Sequence, residues 1–307
     1  MTAASPPLAT GSSAPPSPNP AADQAARRRR RVPYLLLLPG LAYLVALYLI
    51  PLIGLVRMAL QTGNLQTGYE FTWAWENFIE VFTTFRPQLL RSLMYAVGAT
   101  AITLLLAYPL AYAIALRTGR WKNLFLVLLL VPFLIPFLLR TLAWRIILAD
   151  QGVVVSALKT IGLLPDANGR LLATGWAVLA GLVYSFLPFM ALPIYVALEK
   201  IDRSLLEAAE DLYAKPRTAF WRVTWPLSLP GVISGTLLTA IPAAGDFVNV
   251  QLLGNPQQTM MGNVIENKFL SSIDYPAAAA LSISLMLAIV VAIVFYVRAV
   301  GTEELVA

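Results

Sequence analysis

The chain has 307 residues, of which 58% are hydrophobic and only 12% charged, against about 25% charged in a soluble domain; it reads as an integral membrane protein. It has no cysteine and no histidine, which excludes disulfides and thiolate metal sites and removes the usual general base. The net charge of +6 owes its excess to Arg27–Arg31 beside an apolar run, where orientation signals sit, so no nucleic-acid partner is expected, and the lack of a GxxxxGK[ST] stretch excludes a P-loop.

Met1–Ala26 is rich in Pro, Ala and Ser and cannot bury a core, which predicts a disordered tail. With the basic cluster it makes a cytoplasmic segment over residues 1–31, followed by one membrane domain over 32–307. The apolar run Val32–Val56 is longer than a signal-peptide core of about 7–15 residues and is read as the first spanning helix. A hydrocarbon core of about 30 Å needs about 20 apolar residues per helix. That rule predicts an all-α polytopic protein with spans near 32–57, 90–116, 123–148, 174–198, 228–246 and 277–300.

Arg27–Arg31, the turn with Arg117, Arg120 and Lys122, and the Lys200–Arg222 segment share one side under this count. The other side holds scattered basic residues, among them Arg86, Lys159, Arg170 and Lys268. The positive-inside rule then puts both termini in the cytoplasm. The loop Gln61–Leu89 lies outside and carries Trp73, Trp75, Phe78, Phe82 and Phe85, which suit a membrane interface or a partner. Prolines 109, 132, 136, 188, 193 and 242 fall inside predicted spans. Each removes a backbone donor and predicts a kink, tolerated where neighbours or a cavity satisfy the freed carbonyl.

The polar segment 199–227 stands apart from this pattern. Ser204-Leu205-Leu206-Glu207 fits the S-x-x-E capping box, and Pro216 predicts a stop, so a helix is expected over Leu205–Ala214. Ten such residues give about 15 Å of helix, with Leu205, Ala209 and Leu212 on one face. An isolated helix of this length is marginal in water and needs a surface to dock on.

Within this segment Glu207-Ala208-Ala209, Val223 and Trp225-Pro226 resemble the EAA loop of ABC-importer permeases of the type I fold. That pattern runs E-A-A, three residues, G, nine residues, I, one residue, L-P. Tyr213 stands at the glycine and Trp225 at the leucine position; where the glycine serves a positive φ, a tyrosine costs stability or forces another turn. The stretches Leu139–Arg145, Leu187–Pro193, Gly245–Val248, Leu252–Gly254 and Met261–Ile265 are similar to the spermidine/putrescine branch of that family. Permeases for sulfate, molybdate, ferric iron, thiamine or sugars share much of the layout and are the alternatives.

The resemblance implies a permease subunit, not an enzyme, that needs no cofactor of its own. ATP is bound by two partner ATPase subunits; a second permease, expected to form a heterodimer, and an extracytoplasmic solute-binding protein complete the assembly. It further implies that Glu207, Ala208, Ala209, Asp211, Leu212, Tyr213, Ala214 and Pro226 form the ATPase-coupling surface. Intramembrane charges default to functional hypotheses. Asp246 near the outer end of the fifth span is therefore a pathway candidate for an ammonium group, with Tyr184 and Phe189 as cation–π partners. Arg140 and Arg145 are expected to snorkel to the interface.

Overall fold

The computed structural model describes residues 20–162 and 169–300. In chain order it contains α1 (Pro20–Ala59), β1 (Gln61–Asn64), β2 (Gly68–Phe71), α2 (Glu76–Thr83), α3 (Arg86–Tyr112), α4 (Lys122–Leu130), α5 (Phe137–Ile147) and α6 (Val153–Thr160). There follow α7 (Gly175–Glu199), α8 (Arg203–Asp211), α9 (Pro216–Ala219), α10 (Trp225–Ala244), α11 (Val248–Leu253), α12 (Met261–Glu266) and α13 (Tyr275–Val300). The chain divides into two units, Met1–Gly54 and Leu55–Ala307.

In the first unit α1 already begins at Pro20, inside the stretch expected to be a disordered tail. Alanine, glutamine and arginine are strong helix formers, and proline suits a first helical turn, so helix extends N-terminally from the apolar run. The expected tail before Pro20 lies outside the described residues. From Leu36 to Leu49 the large apolar side chains of α1 are exposed, as befits a helix solvated by lipid.

The second unit is built on three long helices, α3, α7 and α10, which pack on one another. Lipid is as apolar as leucine, so helix association in a membrane relies on close packing of small residues. Gly231 and Gly235 of α10 supply it: a Cβ at Gly231 would lie 2.6 Å from the Pro193 carbonyl oxygen of α7, and one at Gly235 would lie 2.9 Å from that of Met190. Around this crossing Met190, Ala191, Ile194, Leu198 and Val232 are buried with Ala107 and Ala111 of α3 and Ile114 of the turn after it. The glycine pair has the GxxxG spacing, a signal the sequence carries and the span count overlooked.

Among the described residues five helices are long and apolar enough to cross a membrane, or six if one bent pair is counted as a single span. The second, fourth and sixth spans agree with expectation within a few residues. The third does not run straight: its two halves, Gly119–Leu134 and Phe137–Ile147, are bent by 93°. Ile135 and Pro136 are extended there, at ψ 134° and 137°. Proline disfavours α geometry in the residue before it, which explains the break. Pro109, Pro188, Pro193 and Pro242 instead sit inside continuous helices, so the predicted interruption falls in the third span, where Pro132 lies in the 3-10 turn after α4 and Pro136 at the bend.

The fifth span begins earlier than expected. Pro216 opens α9, a π turn over Phe220–Thr224 follows, and α10 continues to Ala244, giving one helical run of 29 residues from Pro216. The loop 199–227 is therefore half helix extension, and Asp246 falls past the end of the span. One local departure from the all-α reading is an antiparallel hairpin, β1–β2, in the loop between the first and second spans. Asn64 Oδ1 accepts the Gln66 and Thr67 amides, and Gly63 and Gly68 take positive φ. Trp73, Trp75 and Phe82 remain exposed, whereas Phe78 and Phe85 pack partly buried against the cluster of α13.

Candidate functional site

Two polar connections flank the α7–α10 pair, one at each end. The first leaves α7 at Glu199 and forms α8. Its start differs from the expected capping box: Asp202 is the N-cap, in extended geometry, and its Oδ1 accepts the Ser204 amide at 2.9 Å. Asparagine, aspartate and serine are comparable N-caps, and Ile201, which is buried, fixes where the chain turns. The helix therefore starts two residues early, and Ser204 lies in its first turn. The Ser204 amide also holds the Asp202 carboxyl below its ordinary value.

The end of α8 is a Schellman turn. The Tyr213 amide donates to the Glu210 carbonyl at 2.8 Å and the Ala214 amide to the Ala209 carbonyl at 3.0 Å, the paired bonds of that motif. Its pivot is Tyr213, with φ +55°. This is the position where the EAA pattern has glycine, so the tyrosine keeps the turn and takes the left-handed strain, about 1–2 kcal/mol. Tyr213 is 96% exposed and relieves none of that cost by burial.

The side chains named from the pattern are brought together on one outward surface. Glu207, Ala208, Asp211 and Leu212 are exposed beside Tyr213, and Ala209 and Ala214 are half-buried. The apolar stripe is not absorbed by the chain's own core: Leu205 is 47% and Leu212 81% exposed. Pro226 is exposed at the start of α10 and lines, with Leu205, Lys200 and Asp202, an open cleft of about 860 Å³ beneath α8. At the base of the loop the Lys122 ammonium donates to Glu199 Oε1 and lies 5.3 Å from the Tyr195 ring centroid. This ties the α3–α4 turn to the end of α7. Trp225, at the pattern's leucine position, is accommodated by an aromatic cluster: its ring lies 5.2 Å from Tyr108 and 6.4 Å from Phe220.

The second connection, residues 245–274, is knitted into the opposite end. Asp246 is buried and is used locally, its two carboxylate oxygens accepting from the Asn249 amide (2.8 Å) and Asn249 Nδ2 (3.1 Å). Burial pushes its carboxyl up to about 6, against the hydrogen bonds from Asn249 and Val248. The Met261 amide donates to Ser92 Oγ of α3, Asn255 Nδ2 to the Ala173 carbonyl before α7, and Asn263 Nδ2 to the Phe247 carbonyl. Gly181 admits Asn249 onto α7, for a Cβ there would lie 2.7 Å from Asn249 Oδ1.

The pathway candidates do not converge. Tyr184 stacks edge-on against Trp144 at 5.3 Å, and Phe189 against Phe133 at 5.0 Å; neither lies with Asp246. Arg140 corrects an expectation: it is 7% exposed and does not snorkel. The sharp turn at Pro136 folds α5 back, so its guanidinium lies 5.3 Å from the Phe133 and 5.8 Å from the Phe137 ring centroid. Arg145 is exposed, as expected.

Comparison with known proteins agrees with this architecture. The family model "Binding-protein-dependent transport system inner membrane component" matches residues 104–299. The spermidine/putrescine transport system permease protein PotB of Haemophilus influenzae is 37% identical over 259 residues, covering 84% of this chain and 90% of the relative. PotB of Escherichia coli is 38% identical over 211 residues, covering 69% and 76%. Among solved structures, a bacterial ABC transporter that imports the acidic polysaccharide alginate superposes with a TM-score of 0.65 at 18% identity, over 89% of this chain and 96% of that one. With the family model covering the chain from the C-terminal part of α3 through α13 and most of the chain aligned to permeases, this protein belongs to the family of inner membrane components of binding-protein-dependent transport systems.

Proposed function

We propose that this chain is the membrane-spanning permease subunit of an ATP-driven importer of polyamines, and that α8 is the surface through which ATP hydrolysis in a partner drives it. The observation that carries the coupling role is the exposed apolar and small-residue face of α8, with Leu212 and Tyr213 turned outward. A nine-residue helix is too short to be stable alone in water, and small alanines at its surface permit close approach by a partner. The solute reading is supported by the relatives at 37–38% identity, which are named for spermidine and putrescine transport. A molybdenum transport permease of Mycobacterium bovis is similar at 28% identity, so molybdate is the alternative solute to be tested beside polyamines.

In this reading the chain makes and breaks no covalent bond and holds no cofactor. ATP resides in two ATPase subunits, solute arrives on an extracytoplasmic binding protein, and a second permease completes the pathway. Both termini and α8 face the cytoplasm. The Lys122–Glu199 contact joins the α3–α4 turn to the root of α8, so displacement of α8 is passed to two spans at once.

The test is uptake by the complete transporter in proteoliposomes, supplied with its binding protein. ATP-dependent uptake of putrescine or spermidine, unaffected by molybdate, is expected; uptake of molybdate alone contradicts the polyamine reading. Glu207→Lys combined with Ala208→Arg is expected to abolish coupling. Unchanged transport and ATPase stimulation in that variant contradict the role of α8.

A further inference from the structure

The outer connection contains a cleft of about 450 Å³ between α11, the turn at 254–259 and α12 with the π turn that follows it. Two ionisable side chains line it, Glu266 and Lys268. Lys268 is already neutralised, its ammonium lying 2.9 Å from Asp274 Oδ2. Glu266 is half-buried and makes no ion pair among the described residues. The nearby cation Arg91 donates Nη1 to the Thr259 carbonyl and does not line the cleft. The uncompensated charge of the cleft is therefore one carboxylate. Beside it stand the amide side chains of Gln251 and Asn267 and the half-buried ring of Phe85. Of the other acids of this connection, Asp246 is spent on Asn249 and Asp274 on Lys268, and neither lines the cleft.

We propose that this cleft is an outer subsite for a primary ammonium group, with Glu266 as its counter-ion, Gln251 and Asn267 as neutral acceptors and Phe85 as an aromatic wall. The chemistry follows from the lining. An ammonium presents three donors and no acceptor; a carboxylate and two amide oxygens supply matching acceptors, and an aromatic face attracts the cation. A charge-assisted hydrogen bond in a half-buried site is stronger than a neutral one. The Lys268–Asp274 pair is part of the design: it keeps a second cation in the wall from cancelling Glu266.

The subsite rests on the polyamine reading above and assigns it a point of solute capture on the outer face. It is tested in the complete reconstituted transporter at saturating loaded binding protein, reading putrescine uptake and ATP hydrolysis together. Glu266→Gln is expected to lower uptake about tenfold, the factor carried by loss of one charge-assisted hydrogen bond, while ATPase stimulation stays within about twofold of wild type; Glu266→Asp recovers part of the loss. Asp274→Asn, which keeps an acceptor for the Ala277 amide but frees Lys268, is expected to lower uptake in the same selective way. Unchanged uptake in Glu266→Gln, or a parallel fall of uptake and ATPase in both variants, overturns the subsite and leaves the polyamine reading intact. Wild-type transporter that carries no putrescine or spermidine overturns the polyamine reading itself.

Discussion

The two connections that flank α7 and α10 are both polar in sequence, yet the fold treats them oppositely. Residues 200–215 satisfy their backbone locally, through Asp202 at one end of α8 and the Schellman turn at the other, and leave Leu205, Leu212 and Tyr213 exposed. Residues 245–274 are instead tied to the bundle and to themselves: Asn255 Nδ2 donates to the Ala173 carbonyl, the Met261 amide to Ser92 Oγ of α3, and Asp246 accepts from Asn249 within the connection. Met260, Met261 and Leu253 are fully buried there. A loop that closes its own hydrogen bonds can present apolar surface to a partner. A loop that uses long-range hydrogen bonds is part of the scaffold, and its function must lie in what clefts it leaves.

This contrast can be broken in graded ways. The largest effect is functional and falls on the exposed loop. Ala208→Arg places a long charged side chain on the docking face, and coupled uptake is expected to fall about thirtyfold or more, the factor of a lost interface hot spot. The melting temperature of the isolated chain in detergent should stay unchanged, because Ala208 is exposed. The same kind of enlargement on α7, where the buried connection packs against it, should do the reverse. Gly181→Leu meets Leu253 and Asn249 side chains at 2.5 and 2.7 Å from its first carbon and is expected to cost about 3 kcal/mol, read as a lowered melting temperature.

Asp246 sharpens the comparison through pH. Its folded-state value of about 6 lies above the ordinary 3.8. A raised value means that the stability contributed by its protonation is present below the ordinary value and is lost as pH rises through about 6. Asp246→Asn lacks that loss, and its amide can donate to the otherwise unpartnered Asn249 Oδ1. The variant is expected to match wild type near pH 4 and to exceed it by about 3 kcal/mol at pH 8; equal melting temperatures across that range contradict the account of this carboxyl. The smallest effect is Tyr213→Gly, which relieves the left-handed strain and should strengthen the Schellman turn by about 1 kcal/mol. Hydrogen exchange at the Ala214 amide is the readout, with slower exchange expected.

Much of this was legible in the chain because local physics dominated it. Hydropathy located α3, α7 and α13 within a few residues; the polar helix, expected to run to Ala214 before Pro216, ends instead at Asp211 in the Schellman turn, and Pro216 opens α9. The Glu207-Ala208-Ala209 pattern, with Tyr213 at its glycine position, pointed to a residue that does adopt positive φ. Other features depend on tertiary choices. Ser204 and Asp202 are both competent caps, and burial of Ile201 decided between them. Pro136 marked a break, but the 93° bend, and with it the burial of Arg140 between two phenylalanines, follows from how α5 packs back. The roles of Asp246 and Glu266 were not separable by sequence, since both are acids in the same polar connection. Only the partners Asn249 and Lys268–Asp274 distinguish a structural carboxylate from a free one.

The claim that α8 is the docking surface for an ATPase subunit is tested most directly by site-specific cross-linking. The chain has no cysteine, so single substitutions Ala208→Cys and Tyr213→Cys give unambiguous attachment points, with the exposed outer residue Trp73→Cys as the control. In the assembled transporter, a short thiol-directed photo-cross-linker should join the ATPase subunit to positions 208 and 213 and not to 73. Absence of ATPase adducts at both positions of α8, in a complex that still hydrolyses ATP and transports solute, would contradict the account.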